Sequence, residues 1–76
     1  MAELVAYKKF IESDPDIRFG KPVIIGTRIS VFDVLGWLAS GLSYQQILED
    51  FPQLTKNSIY ACLAYAADKE RKVKIA

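Results

Sequence analysis

Lys56, Asn57, Ser58, Tyr60 and Ala61 stand at the head of a long helical stretch near the end of the chain, and their types suit contact with nucleic acid. An asparagine amide pairs with adenine in bidentate fashion, lysine and tyrosine reach phosphate oxygens, and small residues such as Ala61 and Ala64 leave room inside a major groove. No arginine accompanies them, although arginine on guanine is the commonest specific base contact. The competing reading is an ordinary bundle whose last helix docks on protein. Lys21 and Arg28, with Arg18 just upstream, form a second set that could hold phosphates or a partner's carboxylates, since the arginine fork suits both. Arg28 is explained more simply as a partner of Asp33 or of an acid in the N-terminal arm, an exposed pair worth under about 1 kcal/mol. A third set closes the chain: Arg71, Lys72, Val73, Lys74 and Ile75, charges running into a small apolar pair. Such a segment can add to a partner as an extended strand, or remain a solvated helix end.

Catalytic chemistry has little to use. The chain has no histidine, so the commonest general base and the usual zinc ligands are missing. Cys62 falls on an apolar helical stripe with nothing to activate it, the profile of an inert core thiol, and a lone cysteine makes no internal disulfide. Gly20-Lys21 and Gly26-Thr27 echo a phosphate loop only in fragments. No enzyme, no metal site and no cofactor is expected.

The elements that must position these residues can be located from turn and cap chemistry. Tyr7 to Ser13 mixes aromatic and β-branched residues and reads as a strand, stopped at Asp14-Pro15-Asp16, where an Asx-type turn is expected. Pro22 and the β-branched run Val23-Ile24-Ile25 predict a short second strand. The arm should pair with Val23 to Ile25 or with the same arm of a second copy, giving a homodimer through the N-terminal β arm. Met1 to Ala6 is left open as a helical turn or a frayed end.

From Ser30 onward one device recurs three times: an apolar residue, a Ser or Thr cap, and a branched apolar residue four further on. Ile29-Ser30…Val34, Leu42-Ser43…Ile47 and Leu54-Thr55…Ile59 each staple the start of a helix. Ser30 with Asp33 and Ser43 with Gln46 complete capping boxes, while Thr55 with Ser58 does not. Behind the caps, Val31/Val34/Leu35/Leu38, Tyr44/Ile47/Leu48/Phe51 and Ile59/Cys62/Leu63/Ala66 follow i, i+3, i+4, i+7, one buried stripe per helix. Gly41 should close the first helix and Pro52 the second. Gly36, inside the first helix beside Trp37, suggests the close approach of another backbone. Short links between three one-faced helices give a trihelical bundle, and the second and third fit a helix-turn-helix. The chain divides into an arm over 1–29, a three-helix core over 30–67 and a basic tail over 68–76.

Seventy-six residues allow one domain, small enough that a second copy would relieve its exposed surface. The net charge of +1 speaks weakly against a dedicated nucleic-acid binder. Yet five of the seven charges that follow residue 55 are basic, so positive charge gathers on the last helix and tail. No apolar run approaches a membrane span and no signal peptide is evident, so a cytoplasmic protein without membrane contact is expected.

The string GKPVIIGTRISV, then L-S-x-x-x-I-L-x-x-F-P-x-L-T and an Ala-rich helix, resembles the domain of unknown function 433 family of small prokaryotic proteins, from about Phe10 to about Ala67. That resemblance implies a mostly α fold, a homeodomain-like helix-turn-helix bundle with a short β arm. It also implies an antitoxin that binds operator DNA and neutralises a PIN-like nuclease toxin. Two positions depart from the pattern: Ile25 stands where many relatives carry a basic residue, and Phe19 where many carry a second glycine. No phosphate contact is therefore carried over to that spot. The alternative keeps the dimer but makes it a protein-interaction module with no DNA binding.

Overall fold

A computed structural model describes residues 6–72, the side chains of Arg71 and Lys72 excepted; Val73, Lys74 and Ile75 lie outside the described residues. A 3₁₀ turn at Tyr7–Lys9 leads into β1 (Ile11–Ser13), a tight turn at Arg18–Gly20, β2 (Pro22–Ile24), and then α1 (Val31–Ala39), α2 (Tyr44–Asp50) and α3 (Lys56–Lys72). The expected strand from Tyr7 is thus shortened, because its first half coils against α3: the Tyr7 ring meets the Tyr65 ring edge-on at 5.4 Å, and its hydroxyl donates to the Asp68 carboxylate.

β1 and β2 pair antiparallel within one chain, Ile11 opposite Ile24, Glu12 opposite Val23 and Ser13 opposite Pro22. Pro22 takes the first strand position, where its missing N–H costs least, so the strand begins one residue earlier than expected. The Asx turn forms as expected, with the Asp16 N–H donating to the Asp14 carboxylate at 2.9 Å. After β2 the chain reverses through Gly26, whose φ is positive; glycine meets no Cβ penalty there. Thr27 clasps this turn: its hydroxyl donates to the Ile24 carbonyl at 2.8 Å and accepts from the Ile29 N–H at 3.0 Å.

All three helix starts are closed by reciprocal bonds. Ser30 and Asp33 exchange them at 2.9 and 3.1 Å, and Ser43 and Gln46 at 3.2 and 2.8 Å. Thr55 and Ser58 do so too, at 3.1 and 3.3 Å, which corrects the expectation of an incomplete box. The short Ser58 hydroxyl reaches back as a Glu or Gln would. Gly41, in left-handed backbone, ends α1 in a Schellman motif. Its N–H donates to the Leu38 carbonyl and that of Leu42 to the Trp37 carbonyl, both at 3.1 Å.

Ile24, Val31, Val34, Ile47, Leu54, Ile59 and Cys62 make one core that draws on β2 and all three helices. Trp37 stacks on Phe51 at 4.5 Å and locks α1 to the end of α2. Gly36 has no such role, since a Cβ there would meet nothing within 4 Å. The expected close approach is absent, and only the entropic cost of a mid-helix glycine remains. Gly36→Ala is expected to stabilise the fold by about 0.5–1 kcal/mol, read as a rise of roughly 2–8 °C in thermal midpoint.

Candidate nucleic-acid interface

α3 is the longest element, seventeen residues, and it follows α2 after the five-residue link 51–55. Lys56 and Asn57 are exposed at its first turn and Tyr60 one turn on. The Lys56 ammonium sits 5.2 Å from the centre of the Tyr44 ring, a cation–π contact that ties the head of α3 to α2. Lys56 and Tyr60 lie on one row of the helix, while Asn57 heads the neighbouring row, exposed at the first turn.

The rest of the expected face is not there. Ser58 is buried because its hydroxyl is spent on the Thr55 cap, and Ala61 and Ala64 are 0 and 3 % exposed. Ala61, Ala64 and Asp68 lie on one row of the helix, i, i+3 and i+7, and Asp68 is where the N-terminal arm bonds. The alanines therefore let a neighbouring element approach α3 instead of leaving room for DNA. Conversely Leu63, expected in the buried stripe, is 44 % exposed and continues the Lys56–Tyr60 face. α3 is buried on two sides rather than one, and its open strip is Lys56, Tyr60, Leu63 and Ala67, with Asn57 exposed beside it at the helix start.

The basic residues of the strand-turn do not join this strip. Lys21 borders an apolar cleft of about 480 Å³ between β2, α1 and α3, beside Tyr65 and Ala66, some nine residues down α3 from Lys56. Arg28 is exposed over a shallow depression with Glu12 and Thr27. The Asp33 ion pair expected of Arg28 is made by Arg18, whose guanidinium lies 3.1 Å from the carboxylate and donates to the Arg28 carbonyl at 2.8 Å. The reason is a left-handed turn: Arg18 at φ 51° and Phe19 at φ 59° swing Arg18 back to the head of α1. Burial alone would raise the Asp33 carboxyl, but the Ser30 N–H, Arg18 and the Ser30 hydroxyl outweigh it and hold the group below its ordinary value. The side chains of Arg71 and Lys72, and Val73 to Ile75 entirely, lie outside the described residues.

Cys62 is fully buried, and desolvation pushes its thiol up to about 11, which leaves no thiolate for nucleophilic chemistry. No cluster of three or more metal-binding side chains occurs among the described residues. No helix among them is long and apolar enough to cross a membrane.

The model of a protein family described as "Protein of unknown function (DUF433)" matches residues 11–66, from β1 through most of α3. The chain belongs to the DUF433 family. An uncharacterized protein, y4eO, of Sinorhizobium fredii is 39 % identical over 64 residues, covering 84 % of this DUF433 chain. That stretch is 29 % of the relative's own length, so the chain spans under a third of it. The crystal structure of a DUF433 member from Anabaena variabilis superposes with a TM-score of 0.75 at 24 % identity, over 83 % of this chain and 62 % of that one. The mostly helical DUF433 fold with its short hairpin is thus shared, and the residues past 66, including the basic tail, fall outside the family match.

Proposed function

We propose that this DUF433 chain is a DNA-binding antitoxin that regulates its own operator, with the head of α3 laid in the major groove and the basic tail engaging a PIN-like nuclease. The observation that carries the DNA half is the exposure of Lys56, Asn57 and Tyr60 on the first turns of a long helix. A capped shorter helix holds it from before, the order a helix-turn-helix requires. Lys56 and Tyr60 contact phosphates, and Asn57 reads a base edge. The nuclease half is supported by the family resemblance and by the basic charge that follows residue 68.

Lys56→Ala should weaken binding to specific and scrambled duplexes alike and reduce the salt slope of log K by about 1. Unchanged binding of either duplex would count against this face. For the tail, co-expression with a PIN-like nuclease encoded beside the chain should give a copurifying complex that Arg71→Glu with Lys72→Glu disrupts. A complex indifferent to that charge reversal would remove the tail from the reading.

The protein-only alternative has its own observation. Leu63 puts a large apolar side chain on the same open strip, and Glu49 and Asp50 place exposed carboxylates on the last turn of α2. Under that reading the Lys56 variant changes nothing on DNA.

A further inference from the structure

We infer that two copies of this chain pair by exchanging Phe19 into each other's cleft between β2, α1 and α3. This interface does not rest on the DNA reading and stands or falls without it.

The cleft, about 480 Å³, is walled by Pro22, Val31, Phe32, Leu35, Tyr65 and Ala66. Its occupant must be apolar. The polar side chains that border it are Lys21 at the rim, Tyr65, and Ser30, whose hydroxyl already serves the α1 cap, against the five apolar residues Pro22, Val31, Phe32, Leu35 and Ala66, so few groups are there to orient a polar small molecule. The same chain presents the complementary shape. Phe19 is 99 % exposed, the most open large apolar residue among those described, and Phe32 on the cleft wall follows at 77 %. Phe19 is not loosely held. Its turn is closed by the Gly20 N–H on the Ile17 carbonyl at 3.1 Å and the Lys21 N–H on the Arg18 carbonyl at 3.2 Å, and Arg18 pins it to the head of α1. Phe19 and Arg18 both occupy left-handed backbone, an arrangement that non-glycine residues keep only where surrounding contacts impose it.

Knob and cleft are neighbours on one surface. Lys21 and Pro22 on the cleft follow Phe19 by two and three residues, and Arg18 bonds to Asp33, on the first turn of α1 with Val31 and Phe32. For identical copies this adjacency lets one self-complementary patch serve a two-fold axis: each knob enters the other's cleft, and the pair closes. Charge does not oppose the exchange: the knob loop carries Asp14 and Asp16 alongside Arg18, which Asp33 neutralises, and Lys21. Four phenylalanine rings, at roughly 150–250 Å² each, bring about 600–1,000 Å² to the pair. With the cleft walls this reaches the ~1,000 Å² at which specific interfaces begin.

Sedimentation velocity on the full chain and its variants tests the pairing. At about 50 µM the wild type should sediment as a dimer, and Phe19→Asp and Ala66→Trp should each be monomeric with an unchanged circular-dichroism spectrum. An equimolar mixture of the two should associate more than either alone and less than the wild type, because the intact Phe19 of the second enters the open cleft of the first and restores one of the two contacts. Phe19→Gly should weaken pairing at least tenfold and yet raise the thermal midpoint of the monomer, since glycine accepts a left-handed φ freely. A wild type that stays monomeric to about 500 µM overturns the proposal and leaves the cleft to another occupant. A Phe19→Asp protein that dimerises like the wild type overturns it as well. Phe19 is fully exposed, so the test holds even should Ala66→Trp fail to fold.

Discussion

Ile59→Ala is expected to cost about 2–5 kcal/mol of folding stability, while Leu63→Ala, one turn along the same predicted stripe, is expected to cost under about 1 kcal/mol. Ile59 is 1 % exposed and packs in the core with Val34, Ile47 and Leu54, so truncation leaves a cavity that rigid neighbours cannot close. Leu63 is 44 % exposed and opens onto solvent. A chain of this size holds roughly 4–11 kcal/mol in total at about 0.05–0.15 kcal/mol per residue, so the Ile59 variant loses a large share of it. Urea unfolding followed by circular dichroism reads both. Equal losses at the two positions would restore the one-stripe helix and undo the placement of the open strip.

The difference between these two residues marks where the sequence ceases to be legible. Caps are local chemistry, so Ser30 with Asp33, Ser43 with Gln46 and the Gly41 terminus could be placed from types and spacing alone. Ser58 escaped because serine is a short and unusual partner in a capping box, yet its bond to the Thr55 N–H removes it from the DNA face. α3 escaped for a different reason. Periodicity finds one apolar stripe per helix, and alanine carries almost no signal of which side it faces. The second buried side of α3 includes the contact of Tyr7 with Asp68, sixty-one residues apart, which no local pattern encodes. The exchange of Arg28 for Arg18 as the partner of Asp33 follows from left-handed backbone at Arg18 and Phe19, which propensity assigns to glycine and not to these residues. What remained after these corrections is Lys56, Asn57 and Tyr60, half of the face first drawn on α3.

Asn57→Ala is the second large effect. If the Asn57 amide pairs with adenine, removing it should raise the dissociation constant for the duplex upstream of the protein's own reading frame by about 5- to 150-fold, the equivalent of ~1–3 kcal/mol. Binding to a scrambled duplex should stay within about twofold, because phosphate contacts carry no sequence information. Asn57 is exposed and precedes the core positions of α3, so the variant should melt with the wild type, which separates loss of readout from loss of fold. A variant that weakens both duplexes equally would reassign Asn57 to the phosphate backbone, and one that weakens neither would remove it from the interface.

The most direct test of the central claim, that the open head of α3 reads DNA, is fluorescence anisotropy of the purified chain on its own upstream duplex and on a scrambled one. Each titration is run at about 50 and 200 mM salt, where phosphate-driven binding falls steeply. Preference for the upstream duplex at both salts, with affinity dropping at least tenfold between them, is the predicted result. A folded chain that binds neither duplex, or both equally, contradicts the claim and gives the open strip of α3 to a protein partner.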